Sequence, residues 1–264
     1  MLKVNDIQMY YEVHGEGFPL MMIAGLGANV DWWDPRWIQG FSEEFKTVAF
    51  DNRGAGHTDV SDEEYSIALF ADDTAGLMDA MGISRAHVLG ISMGGMIAQE
   101  LALNYPEKVQ KLVLCSTSCG GVKSIPVSEE VLTVLMTDRS ALSPEEIART
   151  MIPLLVTEDF LRNNPELAEL AVHQMVKAPI SNRAYMRQLK AILNFDTCAR
   201  LSQIEAPTLI LQGKRDILVA PENASILGEA IPNANLVYFE NSAHGLLEET
   251  ETVICSVLEF LRKD

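Results

Sequence analysis

Cysteine is scarce in this chain of 264 residues: Cys115, Cys119, Cys198 and Cys255 are all there is. None stands in a C-x-x-C pair, and Cys115-x3-Cys119 has no histidine nearby, so the spacing argues against a zinc site. Cys115 lies in an apolar run and reads as a small core residue. Basic residues are few as well, 20 against 37 acidic, for a formal net charge of −17. That balance speaks against nucleic acid and anionic membrane surfaces, which recruit basic patches. No apolar run approaches ~18 residues, and Met1–Asp6 lacks the apolar core of a signal peptide, so a soluble cytoplasmic protein is expected. Gly25-x-Gly27 lacks the third glycine of a dinucleotide fingerprint, and no cluster suggests a metal, nucleotide or flavin, so no cofactor is expected. Internal repeats, low-complexity tracts and linkers are also missing.

What is present is an apolar fraction of 48%, enough for a sizeable core in one large α/β domain. Ile7 to Val13 and Pro19 to Ala24 read as strands around the turn His14-Gly15-Glu16-Gly17, and Trp32 to Ile38 as a short helix. Lys46 to Phe50 is a buried strand. Ile67, Phe70, Ala71, Thr74, Leu77, Met78 and Met81 recur at helical spacing, closed by Gly82. Ala86 to Ile91 is a strand, Met93 to Asn104 a helix stopped at Tyr105-Pro106, and Lys111 to Ser116 a strand. The rhythm then breaks at Gly120-Gly121. From about Val122 to Arg200 only helix-like segments appear, with starts at Ser143-Pro144-Glu145-Glu146 and Asn164-Pro165-Glu166. Strand Thr208 to Gln212, helix Pro221 to Ala230, strand Asn235 to Phe239 and helix Glu248 to Leu261 follow. Alternating strands and helices imply a mostly parallel sheet covered on both faces. Residues 1–121 and 201–264 form that core, and residues 122–200 a helical cap inserted into it.

One stretch carries chemistry. Gly90-Ile91-Ser92-Met93-Gly94 places a serine between two glycines where a strand turns sharply into a helix. That turn forces the central residue into a strained conformation and exposes its oxygen above the sheet edge. An active serine needs a base, and the base an orienting acid. Of five histidines, His14 lies in an early turn, His87 near the motif strand but far from its exit, and His173 in the cap. His57 follows a strand and competes. His244, in Asn241-Ser242-Ala243-His244-Gly245, sits just past the last strand, at the carboxyl edge where open parallel sheets gather catalytic groups. Asp216 follows strand Thr208 to Gln212 at the same edge. Asp51 is its rival, with hydrogen bonding to the backbone of its own glycine-rich loop as the simpler role. An oxyanion needs two backbone donors. The elbow supplies Met93 N–H, and Gly25-Leu26-Gly27 supplies Leu26 N–H.

These residues resemble the α/β-hydrolase superfamily over about Ile7 to Ser116 and Pro207 to Leu261. Ala24-Gly25-Leu26-Gly27 looks like its oxyanion loop, where the family often begins with histidine. Asp51-Asn52-Arg53-Gly54-Ala55-Gly56-His57-Thr58 looks like its arginine–glycine loop, and Gly90 to Gly95 like its elbow. The resemblance implies a twisted, mostly parallel eight-stranded sheet with a variable helical cap. It also implies a catalytic set of Ser92, Asp216 and His244. Members that open epoxides or displace halide use an aspartate where this chain has Ser92, which disfavours both chemistries. The layout looks like small-molecule esterases, enol-lactonases and carbon–carbon bond hydrolases. The expected activity is therefore hydrolysis of an ester or lactone of a small, fairly apolar molecule. Cleavage of a ring-fission diketone or perhydrolysis with the same triad is the alternative. A ligand receptor on the same fold is the alternative from another class. Trp32, Trp33, Met136, Met151 and Met175 are candidate pocket walls, with helix or core packing as the competing role of each. Arg53 is expected to brace its own loop.

Overall fold

The computed structural model describes residues Met1 to Lys263. Strands β1 (Leu2–Val4) and β2 (Ile7–Met9) form a separate antiparallel hairpin. The main sheet begins with β3 (Tyr11–His14) and β4 (Phe18–Ile23). Helix α1 (Pro35–Ser42), β5 (Phe45–Phe50), α2 (Ile67–Ala80), β6 (Ala86–Ile91), α3 (Met93–Asn104) and β7 (Val109–Cys115) follow in turn. Five helices come next: α4 (Glu129–Leu135), α5 (Pro144–Leu155), α6 (Glu158–Asn163), α7 (Pro165–Met175) and α8 (Asn182–Leu193). The chain ends with β8 (Thr208–Gly213), α9 (Glu222–Ala230), β9 (Ala234–Phe239) and α10 (Thr250–Arg262). Across the main sheet the strands run β3-β5-β4-β6-β7-β8-β9, all parallel except β3.

The expected fold class stands, but the main sheet has seven strands, not the eight the resemblance implied. The stretch Ile7 to Val13, read as one strand, splits at Tyr10. Its first half pairs with β1 and its second with β5, so two short partners compete for one run of alternating residues. The helix expected over Trp32 to Ile38 is also displaced. A turn of 3-10 helix covers Val30–Trp32, and α1 starts after Asp34, whose carboxylate accepts from Arg36 N–H while Pro35 fills the first turn.

Strand periodicity divides the core. Along β4, Met21 and Ile23 join one buried cluster with residues of α2, α3 and α9, whereas Leu20 and Met22 join the other with α1 and α10. Successive side chains of a strand point to opposite faces, so a wholly apolar run is what a sheet covered on both sides needs. Cys115 is buried in the second cluster, as its apolar run indicated.

A third cluster knits α4, α5, α7 and α8 together through Leu135, Met151, Ile152, Val172, Met175 and Leu189. Helix α5 begins with the expected capping box, Ser143 with Glu146. The two ends of the helical stretch run side by side: Gly121 N–H donates to Phe195 O at 2.9 Å and Thr197 N–H to Cys119 O at 2.8 Å. A disulfide between Cys119 and Cys198 joins them, with Cα atoms 5.0 Å apart. Cysteine spacing alone does not reveal this pairing across 79 residues. Among the described residues no helix is long and apolar enough to cross a membrane.

His87 sits near the start of β6, 6% exposed, with its ring centroid 4.8 Å from Phe18 and 5.5 Å from Phe45. Burial, helped by the Lys111 charge, pushes its pKa down to about 4. The folded protein keeps this imidazole neutral, while the unfolded chain takes up a proton below about pH 6.5. The stability tied to the neutral ring is therefore complete above that pH and is lost as the pH falls toward 4. Between about pH 7.5 and about pH 4.5 the native chain should lose on the order of 2 kcal/mol more stability than His87→Leu. Urea midpoints at the two pH values measure the difference, and parallel losses would show that His87 does not drive it.

Candidate active site

Ser92 stands between β6 and α3 with φ 57° and ψ −121°, a backbone conformation that side-chain-bearing residues rarely hold. Close packing makes the turn possible. A Cβ on Gly94 would lie 2.0 Å from Ile23 O, and one on Gly90 would lie 2.2 Å from Gly94 O. Strand and helix thus meet backbone to backbone, and only glycine fits at either point. Ser92 N–H donates to Cys115 O at 2.9 Å, and Thr117 Oγ1 to Ser92 O at 2.8 Å, so the neighbouring strand fixes the turn.

His244 and Asp216 meet as their places past β9 and β8 predicted. His244 Nδ1 lies 2.8 Å from Asp216 Oδ2, and both residues are buried. The carboxylate is fully engaged. Its Oδ1 accepts from Leu218 N–H at 2.8 Å and Val219 N–H at 2.9 Å, while Gln212 Nε2 donates to Oδ2 at 3.0 Å. The imidazole is therefore held at Nδ1, leaving Nε2 as its free nitrogen. Ser92 and His244 line one cavity of about 430 Å³.

The rivals lie elsewhere. Asp51 accepts from the backbone N–H groups of Val30 and His57, both at 2.8 Å, the simpler role read for it. The His57 side chain is half exposed and its ring packs on Tyr10, centroids 4.7 Å apart. Burial raises the Asp51 pKa, opposed in part by those two N–H groups. Arg53 is buried and braces its surroundings through Asp73, Asp6, Glu63 and Ser61.

The loop after β4 lies against the serine: a Cβ on Gly25 would be 3.1 Å from Ser92 Cβ. Of its N–H groups, Gly27 donates to Gln188 Oε1 at 2.8 Å and Ala28 to Gly25 O at 3.2 Å. The N–H of Leu26 has no acceptor among the described residues, nor has that of Met93 in the first turn of α3. Both residues line the cavity.

Trp32, Trp33 and Met151 line this cavity as anticipated. Met136 and Met175 do not. Met136 ends α4 and is 50% exposed, because Val131 and Leu135, one turn apart, form that helix's buried side. Met175 faces a separate cavity between α5 and α7. The ionisable side chains in the wall of the first cavity are Asp34, held by Arg36, and His244, so among the described residues no lysine or arginine faces it.

Gln188, on α8, escaped the sequence reading. It is fully buried, takes the Gly27 N–H and donates its own amide to Arg53 O at 3.0 Å. It ties the helical stretch to both glycine-rich loops. Glu248 makes a second tie, accepting from Thr157 N–H at 2.6 Å and Ala243 N–H at 3.2 Å, while Gly245 N–H donates to Leu155 O at 2.7 Å. No motif marks either residue, since each is defined by a partner distant in sequence.

A carbamate hydrolase by name, RutD of Azorhizobium caulinodans, is 30% identical over 96% of this chain and 94% of its own length. A poly(3-hydroxyalkanoate) depolymerase of Ectopseudomonas oleovorans is 31% identical over 93% of this chain and 85% of its own. The solved structure of a thermophilic esterase from Thermogutta terrifontis superposes with a TM-score of 0.84 and 27% identity, covering 99% of this chain and 97% of that one. Residues 19–251 match the family model described as the alpha/beta hydrolase fold. With the seven-stranded sheet, the strained serine at its edge and the paired His244 and Asp216, that match over most of the chain places the protein in the alpha/beta hydrolase family.

Proposed function

We propose that this protein is a serine hydrolase that cleaves a carboxylic ester or lactone of a small, largely apolar molecule through an acyl-enzyme. The observation that carries the reading is the strained Ser92 opening on the same cavity as His244, which Asp216 holds from behind. In this mechanism Ser92 Oγ attacks the acyl carbon while His244 Nε2 takes its proton. Asp216 holds the imidazole by Nδ1 and stabilises the imidazolium. The N–H groups of Leu26 and Met93 receive the oxyanion, and one such donor is typically worth about 3 kcal/mol in the transition state. His244 then protonates the leaving oxygen. Water, deprotonated by the same imidazole, releases the acid and restores Ser92. A cavity wall without lysine or arginine favours an uncharged substrate.

A carbamate, the bond named for the Azorhizobium relative, also presents an acyl carbonyl. A panel of esters and carbamates sharing one leaving group, with lactones assayed by acid release, separates these. Esters and lactones should turn over repeatedly and a fluorophosphonate should label Ser92. Turnover of carbamates alone would overturn the ester reading, and tight binding with a single slow turnover would point to a receptor.

Gln188 is placed here as a positioning residue for the oxyanion loop. Gln188→Leu leaves Gly27 N–H and Arg53 O without partners and frees the loop to shift, so kcat should fall roughly tenfold to a hundredfold with little change in KM. Gln188→Glu keeps the acceptor for Gly27 and should recover part of the loss. A matching rise in KM, or no recovery, would mean that Gln188 only supports the fold.

A further inference from the structure

The cavity above Ser92 has a neighbour. A second cavity, of about 310 Å³, lies under α5, α6 and α7 and is walled by side chains such as Ile152, Phe160, Leu161, Ala171 and Met175. Trp32, Asp34, Leu155 and Leu247 line both cavities, so the partition between them is one side chain thick. Leu155 and Leu247 are themselves half-buried. The backbone on either side of them is clasped: Leu155 O accepts from Gly245 N–H, and Glu248 joins Thr157 to Ala243. The leucine side chains can change rotamer without moving that backbone, a motion of picoseconds to nanoseconds where side chains are partly exposed.

We propose that the second cavity takes the far end of an extended alkyl chain, which enters above Ser92 and passes between Leu155 and Leu247. Three observations favour this occupant. The second cavity adjoins the reaction site. Most of the wall is apolar, the exceptions being Gln174 and the pair Asp34 and Arg36, so burying methylenes there desolvates little that is polar. The charged residues at its rim, Asp34 and Arg36, satisfy each other through two hydrogen bonds to Oδ2, at 2.6 and 3.1 Å, and attract no charged group. The inference rests on the proposed hydrolase reading and extends it: long-chain esters belong among the substrates.

The test is a homologous series run in two arms, one lengthening the acyl chain and one the alcohol. With the native protein, kcat/KM should climb, level off when the first cavity is full, then climb again by about fourfold per added methylene. Ala171 touches the second cavity and not the first. Ala171→Trp should erase the second climb, a loss of roughly tenfold or more for chains reaching three methylenes past the plateau, and leave short chains unchanged. Intact short-chain activity also reports that the variant folds, and Ala168→Trp serves if it does not. Leu155→Ala should remove the plateau. Whichever arm shows the second climb identifies the side of the ester that occupies the cavity. Calorimetric binding of intact methyl alkanoates and alkyl acetates of graded chain length to Ser92→Ala, with and without Ala171→Trp, reads the same site without turnover and so separates this inference from the hydrolase reading. A single plateau in both arms, or chain-length selectivity and binding that survive Ala171→Trp, would overturn it.

Discussion

Replacing Ser92 by alanine should cut ester turnover by roughly ten-thousand-fold or more, with KM nearly unchanged. The side chain contributes one atom that matters, Oγ, and no hydrogen bond holds that oxygen in the fold: the polar contacts of Ser92 run through its backbone, its N–H to Cys115 O and its carbonyl from Thr117 Oγ1, Gly95 N–H and Met96 N–H. Alanine keeps the Cβ and therefore the same strain at φ 57°. Thermal stability should stay within about 1 kcal/mol of wild type, the usual range for a substitution that leaves packing and hydrogen bonds intact. Residual activity should come from the Leu26 and Met93 donors, which act without the serine. Fluorophosphonate labelling should vanish with the turnover. A purified Ser92→Ala protein that still hydrolyses esters at a near-native rate would show that another group attacks.

Much of this site is legible in sequence because local chemistry dictates it. Gly90 and Gly94 are required by contacts closer than any Cβ tolerates, so the elbow announces itself within five residues. Asp216 and His244 are legible for a topological reason. Each follows a strand, parallel strands end at one edge, and adjacent strands β8 and β9 deliver both side chains to neighbouring loops. Topology does not separate Asp51, which also follows a parallel strand; what sets it apart is that its carboxylate turns back onto its own loop and the nearby Val30 N–H.

The unreadable parts are contacts between distant segments. Gln188 meets Gly27 across 161 positions, and nothing near either residue in sequence foretells it. The cavity walls depend on how α4 to α8 pack on one another. Met136, Met151 and Met175 all lie in the helical stretch and are alike in composition, yet of the three only Met151 lines the main cavity. Met175 sits one helix away on the second cavity, and Met136 turns to solvent. A helix's apolar stripe says which side is buried and not which neighbour it meets. The split at Tyr10 has a related cause, since strand pairing is settled by partners outside the segment.

Asp216→Asn should cost nearly as much activity as losing the serine, roughly ten-thousand-fold in kcat, while leaving the protein folded. The surroundings decide which way the new amide points. Leu218 N–H and Val219 N–H both donate to Oδ1, so the carbonyl oxygen of asparagine must take that place. Its NH2 group then occupies the Oδ2 position, facing His244 Nδ1 and the Gln212 amide. A flip of the Gln212 amide offers its unpartnered Oε1 to the new NH2 group, at the cost of the Nε2 hydrogen bonds to Gly213 O and Val219 O. His244 adapts at the expense of function. With a donor beside it, Nδ1 becomes the acceptor and the ring proton moves to Nε2, so the nitrogen that should take the Ser92 proton already carries one. The defect is one of tautomer. Asp216→Ala, which removes the partner without imposing the wrong one, should therefore be no more damaging to kcat, although less stable because Leu218 N–H and Val219 N–H lose their acceptor. Measuring kcat and the urea midpoint for both variants checks the pair of effects. If Asp216→Asn retained more than about a tenth of native kcat, well above the loss expected from a reversed tautomer, the orienting role would have to pass to another carboxylate.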